Sequence, residues 1–544
     1  MNRDDAARLE RAILAGPPVG EMYSKNADPA LLEKAADYEV LLRLQLLKSG
    51  RALSSDAQAT LDRLSQKYQD WKPGEDERDT FPFYMTSGFG GREPKVRVPG
   101  DRSELVSWLK ANPKRAELQE DEWFEYCQKQ VESPAAALLE LAAQGDWTAV
   151  DRWRTALQAW GTEKDAGQSW EMLGLTVSEA PAEVITTLAS ALGWWLQAVS
   201  KIIGPEPRAF SCLVLRLLRS YAETTAMPEE KDLNDALNHP VGLALLATIN
   251  WWFRQNLQDG QGLSDVVRPA WDEVTRIEVP SYRPGRAILS MSVVALFRVD
   301  TAWTREHLLS RFDWKASQTE ALTAWKGFLH APRLHPPLIA AFKAQFLATA
   351  DHYALLGEHA RQYAAFLAYA ALELREGISS VEFAKAIQKL PSEGLAQAVR
   401  AVSNALEAAG DKREAYWANR VAPFFKSVWP KSLKFNTEQV SKSIAHLCLR
   451  TRQAFPDALK ELSGYLQRFE RPDELVLQLQ QEKLCETAPA EALDFLDKVV
   501  GDDARFISPE SLEQCLNTVV KARPDFEADR KVARLREIRR RGYF

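Results

Sequence analysis

Hydrophobic residues recur along this chain at steps of three and four, the spacing that places them on one stripe of an α-helix. The clearest run lies between Arg286 and Ala370, where the pattern predicts four amphipathic helices in succession. Ser317 can cap free amides, Glu320 stands three residues on to complete a capping box, and Leu322, Trp325, Phe328 and Leu329 follow on one face. Pro336 and Pro337 open the next helix where a missing N–H costs nothing, and Ile339, Phe342, Phe346 and Tyr353 keep helical spacing until Gly357 stops it. Trp303, Leu308 and Phe312 mark the helix before, and Tyr363, Phe366, Leu367 and Ala370 the helix after. Each helix has a single apolar stripe that needs a partner to bury it, and short links favour antiparallel pairs that stack into an array.

The same pattern extends in both directions. Helices are expected over residues 1–15, from Pro29 to Lys48 behind an Asp28 cap, from Ser54 or Ser55 to Tyr68, and over Arg102–Ala111, Glu122–Glu132, Ala135–Ala143 and Thr148–Ala159. Pro181 starts a helix whose stripe is Ile185, Leu188, Leu192, Trp195, Val199 and Ile202, and Leu245, Ile249 and Trp252 form the stripe of Val241–Leu257. Trp194 and Trp251 fall off these stripes. In a solenoid such a tryptophan packs on the next layer; the alternative is an exposed ligand contact. Beyond Gly377, helices are expected at Val381–Leu390, Gly394–Ala409, Lys412–Val428 and from a Thr437 cap to Gln453. Pro456, Pro472, Pro489 and Pro509 then each stand near a first turn, the last behind a Ser508 cap. A spacing of about 35 to 40 residues per helix pair matches helix-pair repeat families.

Residues 70–101 break the pattern. Prolines and glycines alternate there with Phe81, Phe83, Tyr84 and Phe89, and aromatic residues favour an ordered loop lying over a helical surface. No period-two run reads as a strand, so any sheet belongs to this loop. The expected fold is all-α: an elongated α-solenoid of stacked antiparallel helix pairs of the HEAT/TPR kind, with one long irregular loop near the N-terminus. Four segments are suggested: 1–114, 115–280, a central array 281–432, and C-terminal repeats 433–544 with a basic tail.

Composition adds limits. A chain of 544 residues exceeds one core. A net charge of -6 gives no general attraction to nucleic acid or anionic membrane. No run approaches the ~18 apolar residues of a membrane span, and Arg8, Glu10 and Arg11 in the first helix do not suit a signal peptide, so a cytoplasmic protein is expected. Cys127, Cys212, Cys448, Cys485 and Cys515 are scattered and read as reduced core residues.

Chemical motifs are sparse. Ser87-Gly88-Phe89-Gly90-Gly91-Arg92 lacks the spacing, the preceding strand and the following helix of a phosphate loop. His330 and His335 flank a turn without neighbouring carboxylates, so no metal site and no cofactor is expected. His239 or Asn238 caps the helix that follows, and His239 with the irregular loop is the starting point for an enzymatic reading. The tail carries Arg530, Lys531, Arg534, Arg536, Arg539, Arg540 and Arg541 against one acid, Glu537. It reads as a solvated last helix; the alternatives are an acidic protein surface or nucleic acid, with Arg536, Arg539, Arg540 and Arg541 as the residues to hold phosphate.

Several stretches together resemble a known family: Glu75–Asp79 running into Phe81–Gly88, Ser103–Lys110, Trp194–Lys201, Asn238-His239-Pro240, Trp303–Trp314 and Leu449–Arg452. They are similar to the helical C-terminal region, a domain of unknown function, of large bacterial sirtuin-containing anti-phage defence proteins. The resemblance implies a sensor module whose partners are a sirtuin-type NAD-degrading effector and a phage-derived trigger. The chain departs from the family in having neither a sirtuin dinucleotide fold nor a P-loop, so no catalytic residue carries over. The implied protein is a non-enzymatic sensor or scaffold that binds a protein partner. Phe83, Tyr84, Phe89 and Arg92 are expected to form its binding edge, because inserted aromatic and arginine side chains suit interface hot spots. The alternatives are a nucleic-acid-binding repeat protein or an enzyme with an unfamiliar site.

Overall fold

The computed structural model of the chain describes residues 3–16, 29–50, 52–69, 96–115, 121–205, 207–222, 233–374, 376–504 and 509–541. The fold is all-α and solenoid-like, with helices packed against their neighbours. Most of the 70–101 loop, including its aromatic residues, lies outside the described residues, as do Asp28 and Ser508. Contacts divide the chain into two compact units. One comprises Met1–Thr225 with Asn238–Asn256, the other Ala226–Leu237 with Leu257–Phe544.

In the first unit, α1 (Arg3–Leu14), α2 (Pro29–Gly50) and α3 (Ser55–Lys67) bury Ile13, Tyr38, Leu41, Leu44 and Leu61 in a cluster of their own. The array then follows as α4 (Arg102–Ala111), α5 (Trp123–Lys129), α6 (Glu132–Ala143), α7 (Val150–Ala159), α8 (Glu163–Glu179), α9 (Ala182–Ser200) and α10 (Arg208–Ser220). After α11 (Leu233–Asn238), which except for Asn238 belongs to the second unit, comes α12 (Pro240–Phe253). Even-numbered helices stack as one row from α4 to α10 and odd-numbered ones as another from α5 to α9, with α12 packed on both α9 and α10. Hydrophobic periodicity did not bring out α8, whose pattern is broken by Gly167 and Gly174. A Cβ at Gly174 would stand 2.9 Å from the Trp170 ring of the preceding turn.

The tryptophans of this unit split. Trp251 is buried and its indole N–H donates to the Gly204 carbonyl at 3.0 Å, as layer packing predicts. Trp194 instead remains 46% exposed, and Ile202, assigned to the same helix's buried stripe, lies past the helix end and is also exposed. The stripe itself holds, with Ile185, Leu188, Leu192, Trp195 and Val199 all buried.

The second unit contains α13 (Arg268–Val274), α14 (Arg283–Met291), α15 (Val293–Val299), α16 (Thr301–His307), α17 (Gln318–His330), α18 (Pro336–Ala341), α19 (Lys343–Ala348), α20 (Ala360–Glu373) and α21 (Ser380–Ile387). It continues with α22 (Ser392–Ala408), α23 (Arg413–Tyr416), α24 (Ala422–Ser427), α25 (Glu438–Arg450), α26 (Phe455–Leu462), α27 (Asp473–Gln481), α28 (Leu484–Thr487), α29 (Pro489–Val499), α30 (Pro509–Ala522) and α31 (Arg530–Arg541). Two rows run through it: α14, α17, α20, α22, α25, α27 and α30 stack in one, and α19, α21, α24, α26, α29 and α31 in the other. Side chains tie successive rungs at separations that bracket one helix pair. Arg361 meets Glu393, 32 residues on, and Arg534 meets Asp497, 37 residues back.

The central stretch is helical but more broken than its periodicity suggests. The helix opened by Pro336 divides into α18, α19 and a 3-10 segment, Thr349–His359, in which Gly357 takes a φ of 59°. The Trp303 helix ends at His307 and resumes as a 3-10 turn over Leu309–Phe312. Their apolar faces still converge: Trp325 stacks on Phe342, contacts Phe312 and Phe328 edge-on, and donates its indole N–H to the Phe312 carbonyl at 3.1 Å. Ser317 caps α17 by accepting from the Glu320 N–H at 3.3 Å. The Glu320 carboxylate does not complete the capping box; it turns to Arg286. A full capping box occurs instead at Ser379 and Glu382, before α21.

Among the described residues, the sheet-type pairings are two isolated bridges. Val96 with Asp121 involves the end of the irregular segment, and Phe469 with Val500 lies in the second unit; neither extends into a strand. The close approach needs Gly501, whose Cβ would come within 2.8 Å of the Phe469 carbonyl oxygen.

Candidate functional site

Three successive helices of the second unit, α22, α25 and α27, turn their apolar stripes inward and leave a polar stripe on the open side. In α22 the buried set is Leu395, Val399, Val402 and Leu406, which brings Gln397, Arg400 and Asn404 to the other face at steps of three and four. In α25, burial of Val440, Ile444 and Leu447 leaves Gln439, Lys442, His446 and Arg450. In α27, Leu475, Val476 and Leu479 are buried, leaving Glu474, Leu477, Gln478 and Gln481. These side chains line a groove of about 650 Å³. Amide, cationic and hydroxyl groups dominate its walls, with Leu477 as the one large apolar side chain.

The groove is held by contacts between helices. His446 donates through Nδ1–H to Oε1 of Gln478 at 2.7 Å, and Lys442 lies 3.1 Å from Glu474. Arg450 pairs with Glu407 at 2.8 Å and donates to Ser403 and Asn404 at 3.4 and 3.3 Å. Burial lowers the His446 pKa despite the opposing Gln478 bond and Glu474 charge, so the imidazole is neutral near pH 7. Lys442 holds the Glu474 carboxyl below the ordinary carboxylate range. Arg400 is exposed and makes no hydrogen bond or ion pair among the described residues; nor do the side-chain amides of Gln397, Gln439 and Gln481. This arrangement can hold a ligand rich in hydrogen-bonding groups, with Arg400 to spare for negative charge.

The tail arginines expected from sequence are not among the described residues that line the groove. Phe83, Tyr84, Phe89 and Arg92 lie outside the described residues. The tail arginines are present on α31 but are engaged by carboxylates: Arg536 with Glu527 at 2.6 Å, Arg539 with Glu513, and Arg540 and Arg541 with Glu537 at 3.9 and 3.1 Å. Lys531 and Arg534 meet Asp494, Asp497 and Asp502 of the preceding rung. Glu537 is the one acid within the tail; the other partners are Glu527 just before it and Glu513, Asp494, Asp497 and Asp502 farther back in the chain. The groove residues carry a legible signal, a polar stripe at steps of three and four on three helices in one row, but the sequence does not say which helices share a row.

His239 caps α12: its Nδ1 accepts from the Val241 N–H at 3.2 Å, and Tyr221 packs edge-on against its ring. His335 sits edge-on to Phe297, with its pKa lowered by burial and then by Arg298. Among the described residues no group of three or more His, Cys, Asp or Glu side chains is placed to hold a metal ion. Four cysteines are buried as expected, whereas Cys212 is exposed. No described helix is long and apolar enough to cross a membrane.

No protein-family model matches the chain, and no solved structure matches it. A relative, the uncharacterised protein y4cA of Sinorhizobium fredii (strain NBRC 101917 / NGR234), is 26% identical over 164 residues, or 29% of this chain. The match spans only 14% of that relative's length.

Proposed function

We propose that the chain is a non-enzymatic sensor or scaffold subunit of a bacterial anti-phage defence system, which binds a protein partner or phage-derived trigger and controls a separate NAD-degrading effector of the sirtuin type. The binding part of this reading rests on the groove across α22, α25 and α27, an open polar surface built by three rungs of one row. Helical arrays commonly use such surfaces to hold partners. The defence setting rests on the resemblance of Trp194–Lys201, Trp303–Trp314 and the other stretches named above. Phe83, Tyr84, Phe89 and Arg92 remain the proposed second contact edge.

The test is to incubate the purified chain with NAD and ATP, alone and with a co-expressed sirtuin-type effector. The expected result is no turnover by the chain alone and NAD loss that depends on both proteins and a phage trigger. Turnover by the chain alone that survives purification and disappears with one point substitution overturns the reading.

A further inference from the structure

The groove's chemistry narrows what it can hold. We infer that it binds an extended, acidic peptide segment of a partner protein, running across α22, α25 and α27; this rests on the scaffold reading above and names its ligand class. Helices pack about 8–10 Å apart, so three in a row present roughly 20 Å, the span of about six residues of extended chain at ~3.3 Å each.

Two features select the backbone and the charge. Gln397 on α22, Gln439 on α25 and Gln481 on α27 each offer a donor and an acceptor that no neighbour among the described residues uses. An extended peptide presents its own N–H and C=O groups in the same pairing, whatever its side chains, so a row of amides can hold it without reading sequence. The cations supply the preference: Arg400 has no carboxylate partner among the described residues, and Lys442 faces only the exposed Glu474. A ligand carboxylate can take both sides of the Arg400 guanidinium, a geometry that adds strength and orientation.

A nucleic-acid strand suits the groove less well. Among the described residues no Phe, Tyr or Trp lines it for bases to stack on, and the imidazole of His446 is held by Gln478. A cationic peptide finds Glu474 already paired with Lys442 and is repelled by Arg400.

The test is fluorescence anisotropy with the full chain and a fluorescein-labelled eight-residue peptide alternating glutamate and alanine. Two peptides with glutamine or lysine in place of glutamate, and a twenty-nucleotide oligothymidine, serve as comparisons. Binding of the glutamate peptide in the micromolar range is expected, at least tenfold tighter than the glutamine peptide. Arg400→Gln with Lys442→Gln should weaken it about a hundredfold, with an unchanged melting temperature. Equal binding of the glutamine peptide, tighter binding of the oligonucleotide, no peptide binding, or indifference to the double substitution each overturns the proposal. Those outcomes leave the scaffold reading to other surfaces. NAD or ATP turnover by the chain alone removes the scaffold reading while the peptide titration still stands or falls by itself.

Discussion

Arg286 closes on both oxygens of Glu320, with Nε at 2.7 Å from one and Nη2 at 2.8 Å from the other, while its remaining nitrogen donates to the carbonyls of Val274, Arg276 and Val279. Arg286 is 1% exposed, so this guanidinium joins α14, α17 and the turn after α13 inside the second unit. Burial alone would raise the Glu320 pKa, but Arg286 and Arg283 outweigh it and hold the carboxyl below its ordinary range. Breaking a buried pair by removing one partner strands the other charge, at a cost of ~3–5 kcal/mol. Glu320→Ala should therefore destabilise the second unit by about that much in urea unfolding, whereas Arg286→Met with Glu320→Leu should recover only part of the loss, because Met gives the carbonyls of Val274, Arg276 and Val279 no donor. A loss under ~1 kcal/mol for Glu320→Ala would mean that water reaches Arg286.

The pair depends on how closely its helices approach. Gly327 of α17 lies against α14, and a Cβ there would come 2.4 Å from the Ala287 carbonyl oxygen and 2.9 Å from Ser290. A carbonyl of a packed helix cannot swing aside as a side-chain tip can. Gly327→Ala should cost ~1–3 kcal/mol in chemical denaturation, despite alanine's better helix propensity. A gain in stability would show that the two helices are free to separate.

His239 makes the α12 cap sensitive to pH. The cap uses Nδ1 as an acceptor, and burial depresses the pKa below the ordinary histidine value of about 6.5. As pH falls, the unfolded chain therefore takes up the proton before the folded one, so the stabilisation is fully present above ~6.5 and declines below it. His239→Asn keeps a capping side chain that does not titrate. Between pH 7 and pH 5 the wild-type melting temperature for the first unit should drop ~2–4 °C more than that of His239→Asn, for a cap of ~1 kcal/mol. Parallel pH profiles would contradict the assignment.

The tail arginines are expected to bind nucleic acid poorly while their carboxylate partners are intact. Glu513 faces both Arg536 and Arg539. Glu513→Gln should raise affinity for an oligothymidine and steepen its salt dependence, because Arg539 loses its carboxylate while Arg536 keeps Glu527. Strong, steeply salt-dependent binding by the unaltered chain, lost in Arg539→Gln, would reverse this view.

Much of the fold is written locally. Ser54 before α3, Ser317 before α17, and the prolines that open α18, α26 and α29 mark helix starts through side chains that act within one turn. The stripe of α9 identifies its buried face by spacing alone, and the repeat period follows from the distance between such starts. Single residues within a helix are also local, which is why His239 could be read as a cap before any tertiary contact was known.

What the tertiary structure decided is every relationship between residues about a helix pair or more apart. Glu320 had two local uses open to it, and a guanidinium 34 residues away took its carboxylate from the capping box. The tail's charge looked uncompensated because Glu513, Asp497 and Asp502 reach α31 only when the last rungs stack. The groove has the same origin: Gln397, Lys442 and Gln478 each look like solvated helix positions, and only stacking of α22, α25 and α27 in one row turns three polar stripes into one surface. Helix formation is driven by neighbours in the chain, whereas row order, burial and charge pairing are set by which faces meet, and an amphipathic sequence leaves that choice to packing.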